Sequence, residues 1–385
     1  MASQVNVGLL VPGSFRNAPP KMAEFTEFFR RADQLGFHSL WVIDRIFHEI
    51  NVLEPMTLLT CAAAVTSRIR LGTSVLLFVF RNPVQLARTT ATLDHLSGGR
   101  LTLGISLGGR DHEFEPLGIS KERRVSRFRE NLALLRELWA EGDTSHHGHF
   151  YNMDNVNVAP KPMQKPGIPI IIGGTADPVL KRSGQEADGW VAGGGGTPES
   201  FRQSWEKVQG YAREAGKDPD SLDAGKLMYI CVGDDRDWCR NNLVEYTHAY
   251  YGDQYDVDNN CAFGPPEECA KKIQSFVDAG VKTMILGPSS PNVGQITRIA
   301  NEVVPLLRRT QATAVSGQPS GKRCGVGGIP LARIAQAASS HSLIADSCLP
   351  NTSAGPGCRA QLCGSASGRR RSPPAAYHPP RSLCP

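Results

Sequence analysis

Three stretches of the 385-residue chain gather glycines directly behind an apolar run: Leu107-Gly108-Gly109-Arg110-Asp111-His112, Ile172-Gly173-Gly174-Thr175 and Ala192-Gly193-Gly194-Gly195-Gly196. Glycine turns let backbone N–H groups approach an anion closely, and a helix opening behind them adds its positive end. The pattern suits a phosphorylated ligand. Each pair by itself equally suits a turn that needs positive φ and nothing more, and residues 193–196 also suit the hinge of a mobile loop. Acid/base groups occupy the same kind of position. Asp44-Arg45 closes the run Leu40-Trp41-Val42-Ile43, and His48 and His112 follow runs of this sort. A guanidinium stays protonated near neutral pH, so Arg45 is no general base, but it can bind an anionic group. His146, His147 and His149 invite a metal reading, yet no acid or cysteine close in sequence completes a set; a solvated hairpin face is expected there, and no metal. His95 reads as a helix-end residue.

These residues need a scaffold that brings strand ends together. Apolar strand patterns fall at 6–11, 39–43, 70–79, 101–106, 169–172, 189–192, 227–232 and 283–286. Between and after them come helical patterns at 21–35, 55–66, 83–96, 122–140, 198–214, 235–248, 265–279 and 293–308. The 122–140 segment is plainly amphipathic: Val125, Phe128, Leu132, Leu135 and Trp139 step by three and four. Residues 144–158 alternate like a hairpin and read as an insertion after strand four, with a second insertion near 250–264. Eight strands alternating with helices predict an α/β fold, a (β/α)8 TIM barrel. An echo supports it: Gly36-Phe37-His38-Ser39-Leu40-Trp41 and Gly280-Val281-Lys282-Thr283-Met284-Ile285 both run glycine stop, spacer, strand. A doubly wound open sheet would want G-x-G-x-x-G after the first strand, where the chain reads Pro12-Gly13-Ser14-Phe15-Arg16. In a barrel every candidate above sits in a βα loop at the ligand-binding end.

Composition narrows the function classes. The chain is 40% apolar and 21% charged, enough for a large core. Its net charge of +5 is a property of one end: from Thr310 onward there are eight Lys/Arg and one Asp, which leaves residues 1–309 with 34 basic and 36 acidic groups. Nucleic-acid binding is therefore not expected. Ser, Gly and Pro make up 29 of the last 76 residues, and residues 310–385 are predicted to be a disordered, basic tail beside a 1–309 domain. Arg369-Arg370-Arg371 there reads as an interaction patch or as solvated coil. No run reaches the roughly 18 apolar residues of a membrane span, and no basic segment precedes 5–11 as in a signal peptide. The ten cysteines contain no CxxC and suit a reducing cytoplasm.

A longer set of motifs runs in order through residues 5–309: Ala32-x-x-x-Gly36-Phe37-x-x-x-Trp41-x-x-Asp44, Leu71-Gly72-Thr73-Ser74-Val75, Asn82-Pro83-Val84 and Leu96-Ser97-Gly98-Gly99-Arg100. Phe114-Glu115-Pro116-Leu117-Gly118, Gly148-x-Phe150-Tyr151, Pro160-Lys161-Pro162-x-Gln164, Ile172-Gly173-Gly174 and Ala187-Asp188-Gly189-Trp190 continue it. In this combination the chain resembles the bacterial-luciferase-like family of flavin-dependent oxidoreductases, TIM barrels with insertions. The resemblance implies FMN or the deazaflavin coenzyme F-420, its ring across the barrel mouth. It implies that Gly108 and Gly109, with Gly173, Gly174 and Thr175, hold the coenzyme phosphate. It puts a non-prolyl cis peptide at Ser74-Val75, where an ordinary trans strand is the alternative. It sets Asp44 near the ring, where a cap or a partner for Arg45 is the alternative. Asp44, Arg45 and His112 are the catalytic candidates. Several hydride-transfer members carry histidine where this chain has Arg45, which weakens the case for alcohol dehydrogenation.

The expected activity is a flavin-dependent monooxygenase, fed reduced flavin by a separate reductase and acting with oxygen on a small organic substrate. An F-420-dependent hydride-transfer oxidoreductase is the alternative, and a non-catalytic flavin-binding barrel the third. A homodimer through the outer helices is implied. Trp41 and Trp190 are read as core wedges. Phe78 and Phe80 either line a pocket or fill the barrel, and Tyr250, Tyr251 and Tyr255 hint at an aromatic lid.

Overall fold

The computed structural model describes residues 5–307 apart from Gly109. Gly109 as a phosphate ligand and the tail at 310–385 therefore lie outside the described residues.

Eight parallel strands form the scaffold: β1 (Asn6–Leu10), β2 (Ser39–Val42), β3 (Arg70–Thr73), β4 (Leu101–Ser106), β5 (Ile170–Gly173), β6 (Gly189–Ala192), β7 (Asp223–Val232) and β8 (Thr283–Gly287). Each pairs with the next, and β8 pairs both with β7 and with β1, Thr283 standing opposite Asn6. The sheet closes, which removes the open-sheet alternative. Side chains alternate with the period of two that a strand dictates. Leu9, Leu40, Trp190 and Met284 pack outward against helices, whereas Leu10, Trp41, Val191 and Ile285 pack inward. Both faces are buried, as in parallel sheets generally. Trp41 occupies so much of the interior that a Cβ on Gly72 would lie 2.5 Å from its ring.

The helices are α1 (Met22–Gln34), α2 (Pro55–Val65), α3 (Pro83–Ser97), α4 (Arg124–Trp139), α5 (Asp177–Glu186), α6 (Pro198–Glu214), α7 (Arg236–Tyr251), α8 (Pro266–Val277) and α9 (Val293–Arg298). Their ends follow local chemistry. The Asn82 side chain accepts the amides of Val84 and Gln85 to start α3, Pro83 fills its first turn, and Gly98 ends it at φ 69°.

Three expectations are corrected. The predicted 70–79 strand stops at Thr73; the Ser74–Val75 peptide is cis, and the chain returns as Leu76–Leu77 alongside β4 before the tight turn Phe78–Phe80. The predicted closing helix is α9 followed by the wider turn Ile299–Val303 and the narrow one Val304–Leu306, where Pro305 cannot donate. Helix α5 has no predicted counterpart, and it carries a glycine in its interior. Gly184 is there for packing: a Cβ would lie 2.4 Å from the Val208 carbonyl oxygen of α6.

Both insertions are present. Thr144–His147 and Asn152–Val156 form the hairpin after α4. Beyond β7, after the expected helix α7, come a one-turn helix Val257–Asn260 and the strand Ala262–Gly264, which pairs in parallel with the end of β7, Ile230 opposite Ala262.

Candidate active site

The rim turns behind β4 and β5 are neighbours, since those strands are hydrogen-bonded to each other. Gly108 has φ +105°, and a Cβ there would lie 2.8 Å from Val79 Cγ2. Gly174 has φ +133°, and its carbonyl accepts Trp190 Nε1 at 2.6 Å, so the outward-packed tryptophan braces the turn from behind. A Cβ on Gly173 would lie 2.8 Å from Val75 Cγ1; the bulge and the glycine turn expected to serve one coenzyme touch. Thr175 is exposed at the rim. Helix α5 opens directly after it with Ala176 at the N-cap and no side-chain cap. In its first turn Pro178 has no N–H and the amides of Val179 and Leu180 donate to the Ala176 carbonyl, at 2.8 and 3.1 Å, which leaves the Asp177 amide and the positive end of the helix for an anion. The Asp177 carboxylate is drawn aside by Lys207 Nζ and Tyr211 Oη, each at 2.9 Å. A cradle that any Cβ would fill, beside an uncapped helix start, fits a phosphate-ended coenzyme.

The bulge is held from β2. Ser74 N donates to the Val42 carbonyl at 2.7 Å. Leu77 N donates to Asp44 Oδ2 at 3.0 Å, and Arg81 Nη2 reaches both Asp44 oxygens, at 3.0 and 2.9 Å. Asp44 is buried, and its partner is Arg81 rather than the adjacent Arg45. Both carboxylate oxygens are engaged, so Asp44 is a brace and not a free base.

Arg45 turns the other way. Its guanidinium lies 5.6 Å from the Tyr250 ring centroid and 3.9 Å from Glu113 Oε1. Glu113 is completely buried. Its Oε2 accepts Arg110 N at 2.6 Å, while Oε1 and Arg45 Nε have no hydrogen-bond partner. A buried carboxylate oxygen without a hydrogen bond is costly, and among the described residues the Arg45 guanidinium at 3.9 Å is the charge that offsets it. His112, the sequence candidate in this loop, is exposed; its neighbour Glu113 is the group turned inward. The signal available in the sequence was only a carboxylate three residues behind Arg110 in a rim loop.

His48 is engaged at both nitrogens. Ile50 N donates to Nδ1 at 3.2 Å, which leaves Nε2 to donate to the Tyr250 carbonyl at 3.0 Å. Its ring stacks on Tyr250 at 5.1 Å. It anchors α7 across the mouth.

The tyrosines pack inside rather than forming a surface lid. Tyr229 rises from β7 and meets Tyr246, Tyr251 and Tyr255 at 5.7–6.3 Å. Its hydroxyl bonds that of Tyr251 at 2.9 Å, and Ser14 Oγ donates to Tyr246 Oη at 3.2 Å. Burial pushes the Tyr246 phenol up to about 12 and raises Tyr229 and Tyr250 as well, so these groups stay protonated. Trp41 and Trp190 are core residues, as expected. Phe78 fills the outer core against Phe128 at 5.3 Å, whereas Phe80 lies at the rim against Phe114 and beside Gly108.

In the hairpin, acids do stand beside the histidines. His146 lies 3.6 Å from Glu130 and 2.8 Å from Glu137, and His147 lies 3.1 Å from Asp154. Glu130 is already committed to the amides of His149, Phe150 and Tyr151. Among the described residues no cluster is arranged to hold a metal, and no helix is long and apolar enough to cross a membrane.

Residues 5–256 match the model of the family described as luciferase-like monooxygenase. The F420-dependent glucose-6-phosphate dehydrogenase of Kineococcus radiotolerans is 27% identical over 322 residues, covering 76% of this chain and 94% of its own. Among solved structures, an F420-dependent secondary alcohol dehydrogenase in complex with an F420-acetone adduct superposes with TM-score 0.69 at 22% identity, covering 80% of this chain and all of its own. The oxygenating constituent of 3,6-diketocamphane monooxygenase of Pseudomonas putida, in complex with FMN, does so with TM-score 0.69 at 20% identity, covering 80% and 99%. These two likenesses concern the fold.

Proposed function

The chain belongs to the luciferase-like monooxygenase family, and from that membership we propose a flavin-dependent monooxygenase that takes externally reduced flavin and oxygen to a small organic substrate. The observation that carries this reading is the engagement of the acid/base candidates behind β2: Asp44 is held by Arg81 and His48 by Ile50 and Tyr250. A mouth without a free base there suits chemistry that asks the protein for shape and dryness. When bound, reduced flavin supplies the electrons that activate oxygen. The chain's residues do the rest. Gly108, Gly173, Gly174 and Thr175, with the start of α5, would hold the phosphate. The Val75 bulge would back the ring. Arg45 would offer a fixed positive charge toward charge building at the reacting end. Tyr229, Tyr246 and Tyr251 keep water out of the interior. A cleft of about 330 Å³ between Ser14, Asn17, Asn242, Tyr246 and Ser289 is the proposed approach for substrate.

A second reading, F-420-dependent hydride transfer, is favoured by one group. Glu113 is a buried carboxylate with an idle oxygen beside Arg45, suited to carry the proton that accompanies a hydride. The likeness to the Kineococcus dehydrogenase supports it too.

Oxygen uptake with reduced FMN tests the first reading. Uptake that rises with candidate substrates supports it; unresponsive uptake, with tight F-420 binding and anaerobic turnover, replaces it by the second. A separate flavin reductase is the proposed electron source, consistent with the missing dinucleotide fingerprint after β1. A homodimer is proposed through the α2 and α3 face, where a groove of about 340 Å³ runs past Met56, Thr60, Gln85 and Leu86. A cytoplasmic location is proposed from the free thiols of Cys61, Cys231, Cys239, Cys261 and Cys269.

A further inference from the structure

Lys226 sits on β7 among the outward-facing residues and is 1% exposed. Its ammonium donates to three backbone carbonyls: Gly193 at 2.5 Å, Leu227 at 2.8 Å and Gly195 at 3.1 Å. The Phe276 ring of α8 lies 5.1 Å away. Three donors meet three acceptors, and none of the three is a carboxylate. Desolvating an ammonium without an acid to balance it is expensive, and an apolar side chain of similar length would occupy the same space.

We propose that Lys226 is a positioning residue for the coenzyme end of the mouth, holding the backbone of residues 193–196 from behind the sheet without touching the ligand. The proposal rests on the coenzyme site proposed above. That turn follows β6, whose Trp190 braces Gly174 in the neighbouring turn after β5. Planar trans peptides carry C=O and N–H on opposite sides. Carbonyls of Gly193 and Gly195 aimed at Lys226 therefore send the amides of Gly194 and Gly196 the other way. The intervening Gly194 carbonyl accepts Tyr255 Oη at 2.9 Å. The turn is pinned from two sides, by Lys226 on alternate carbonyls and by Tyr255 on the one between.

The pin is sensitive to protons. Burial pushes Lys226 down from 10.5 to about 7. The groups facing it are the Cys261 thiol, pushed up to about 12, and the Lys272 ammonium of α8, itself lowered by burial. The Tyr255 phenol is raised and remains a donor. Above neutrality Lys226 keeps two hydrogens for three carbonyls, and the turn loosens. Global stability moves oppositely. The unfolded chain binds the extra proton between pH about 7 and 10.5, so Lys226 adds stability as pH rises through that window.

The test is ¹³C NMR of glycine-labelled full-length protein, without coenzyme, from pH 6 to 9. The carbonyl shifts of Gly193 and Gly195 are expected to inflect near pH 7, with Gly194 flat as an internal control. Lys226→Met should abolish the inflection, and Lys272→Gln should keep it. Flat Gly193 and Gly195 carbonyls in the wild type, which needs no variant to fold, overturn the proposal. In parallel, the Kd for FMN or F-420 is expected to weaken about tenfold from pH 6 to 8.5 in the wild type and to be pH-independent in Lys226→Met. Inflecting carbonyls with neither coenzyme bound overturn the coenzyme assignment and with it this role of Lys226; binding that ignores pH despite inflecting carbonyls overturns the role alone.

Discussion

Arg81 Nη2 stands 3.0 and 2.9 Å from the two oxygens of Asp44, joining the end of β2 to the far side of the bulge that interrupts β3. The same carboxylate takes the amide of Leu77, so one buried side chain fixes both limbs of the segment under the proposed ring. Removing its charge is expected to loosen that segment. Asp44→Asn should cost about 1–3 kcal/mol in urea unfolding, the range for a buried group losing a charged partner, moderated because Arg81 is a quarter exposed. Arg81→Met added to Asp44→Asn should cost less than the sum of the singles, since the pair shares one interaction.

Gly173 and Val75 make a sharper test of the site. Gly173→Ala puts a methyl 2.8 Å from Val75 Cγ1 and is expected to weaken coenzyme affinity at least tenfold by fluorescence titration while leaving the melting transition in place. Val75→Ala in the same chain should restore much of the affinity by removing the clashing methyl. Gly174→Asp should weaken binding without such rescue, because its carboxylate would face the phosphate.

Glu113 separates the two readings of the chemistry. Glu113→Gln keeps the shape and the acceptor for Arg110 N but cannot exchange a proton. If the carboxylate carries a proton in turnover, kcat should fall by about 10²–10⁴ with coenzyme Kd unchanged. A variant with full turnover would leave Glu113 as a counter-charge for Arg45 only. His112→Ala is expected to change little, its side chain being exposed.

His38 gives a prediction for stability against pH. Burial lowers its pKa from 6.5, opposed by the charge of Asp223. The unfolded chain therefore binds more protons than the native state just below pH 6.5, and stability is lost as pH falls through that region. His38→Gln should flatten the acid side of a plot of melting temperature against pH from 7 down to 5. An unchanged slope would assign the acid loss to other groups.

Much of this was legible from the chain. Strand alternation, helix caps such as Asn82-Pro83 and glycine stops such as Gly36 are local devices, and they sufficed for a closed α/β barrel with two insertions. The rim glycines were legible because positive φ and close approach leave few other residues possible. What failed locally failed for tertiary reasons. Helix α5 was missed because Gly184 serves a crossing with α6 that only packing reveals, and β3 was overrun because its apolar run continues through a bulge.

The linear order of residues determined the architecture and the location of the mouth, because periodicity and turn chemistry act between neighbours. Only the folded chain decided which charges meet. Asp44 chose Arg81 over the adjacent Arg45, Glu113 turned inward where His112 did not, and Tyr250 came from α7 to lie against His48. Burial and electrostatics operate through space, and closing the barrel brings residues tens to hundreds of positions apart within a few ångströms.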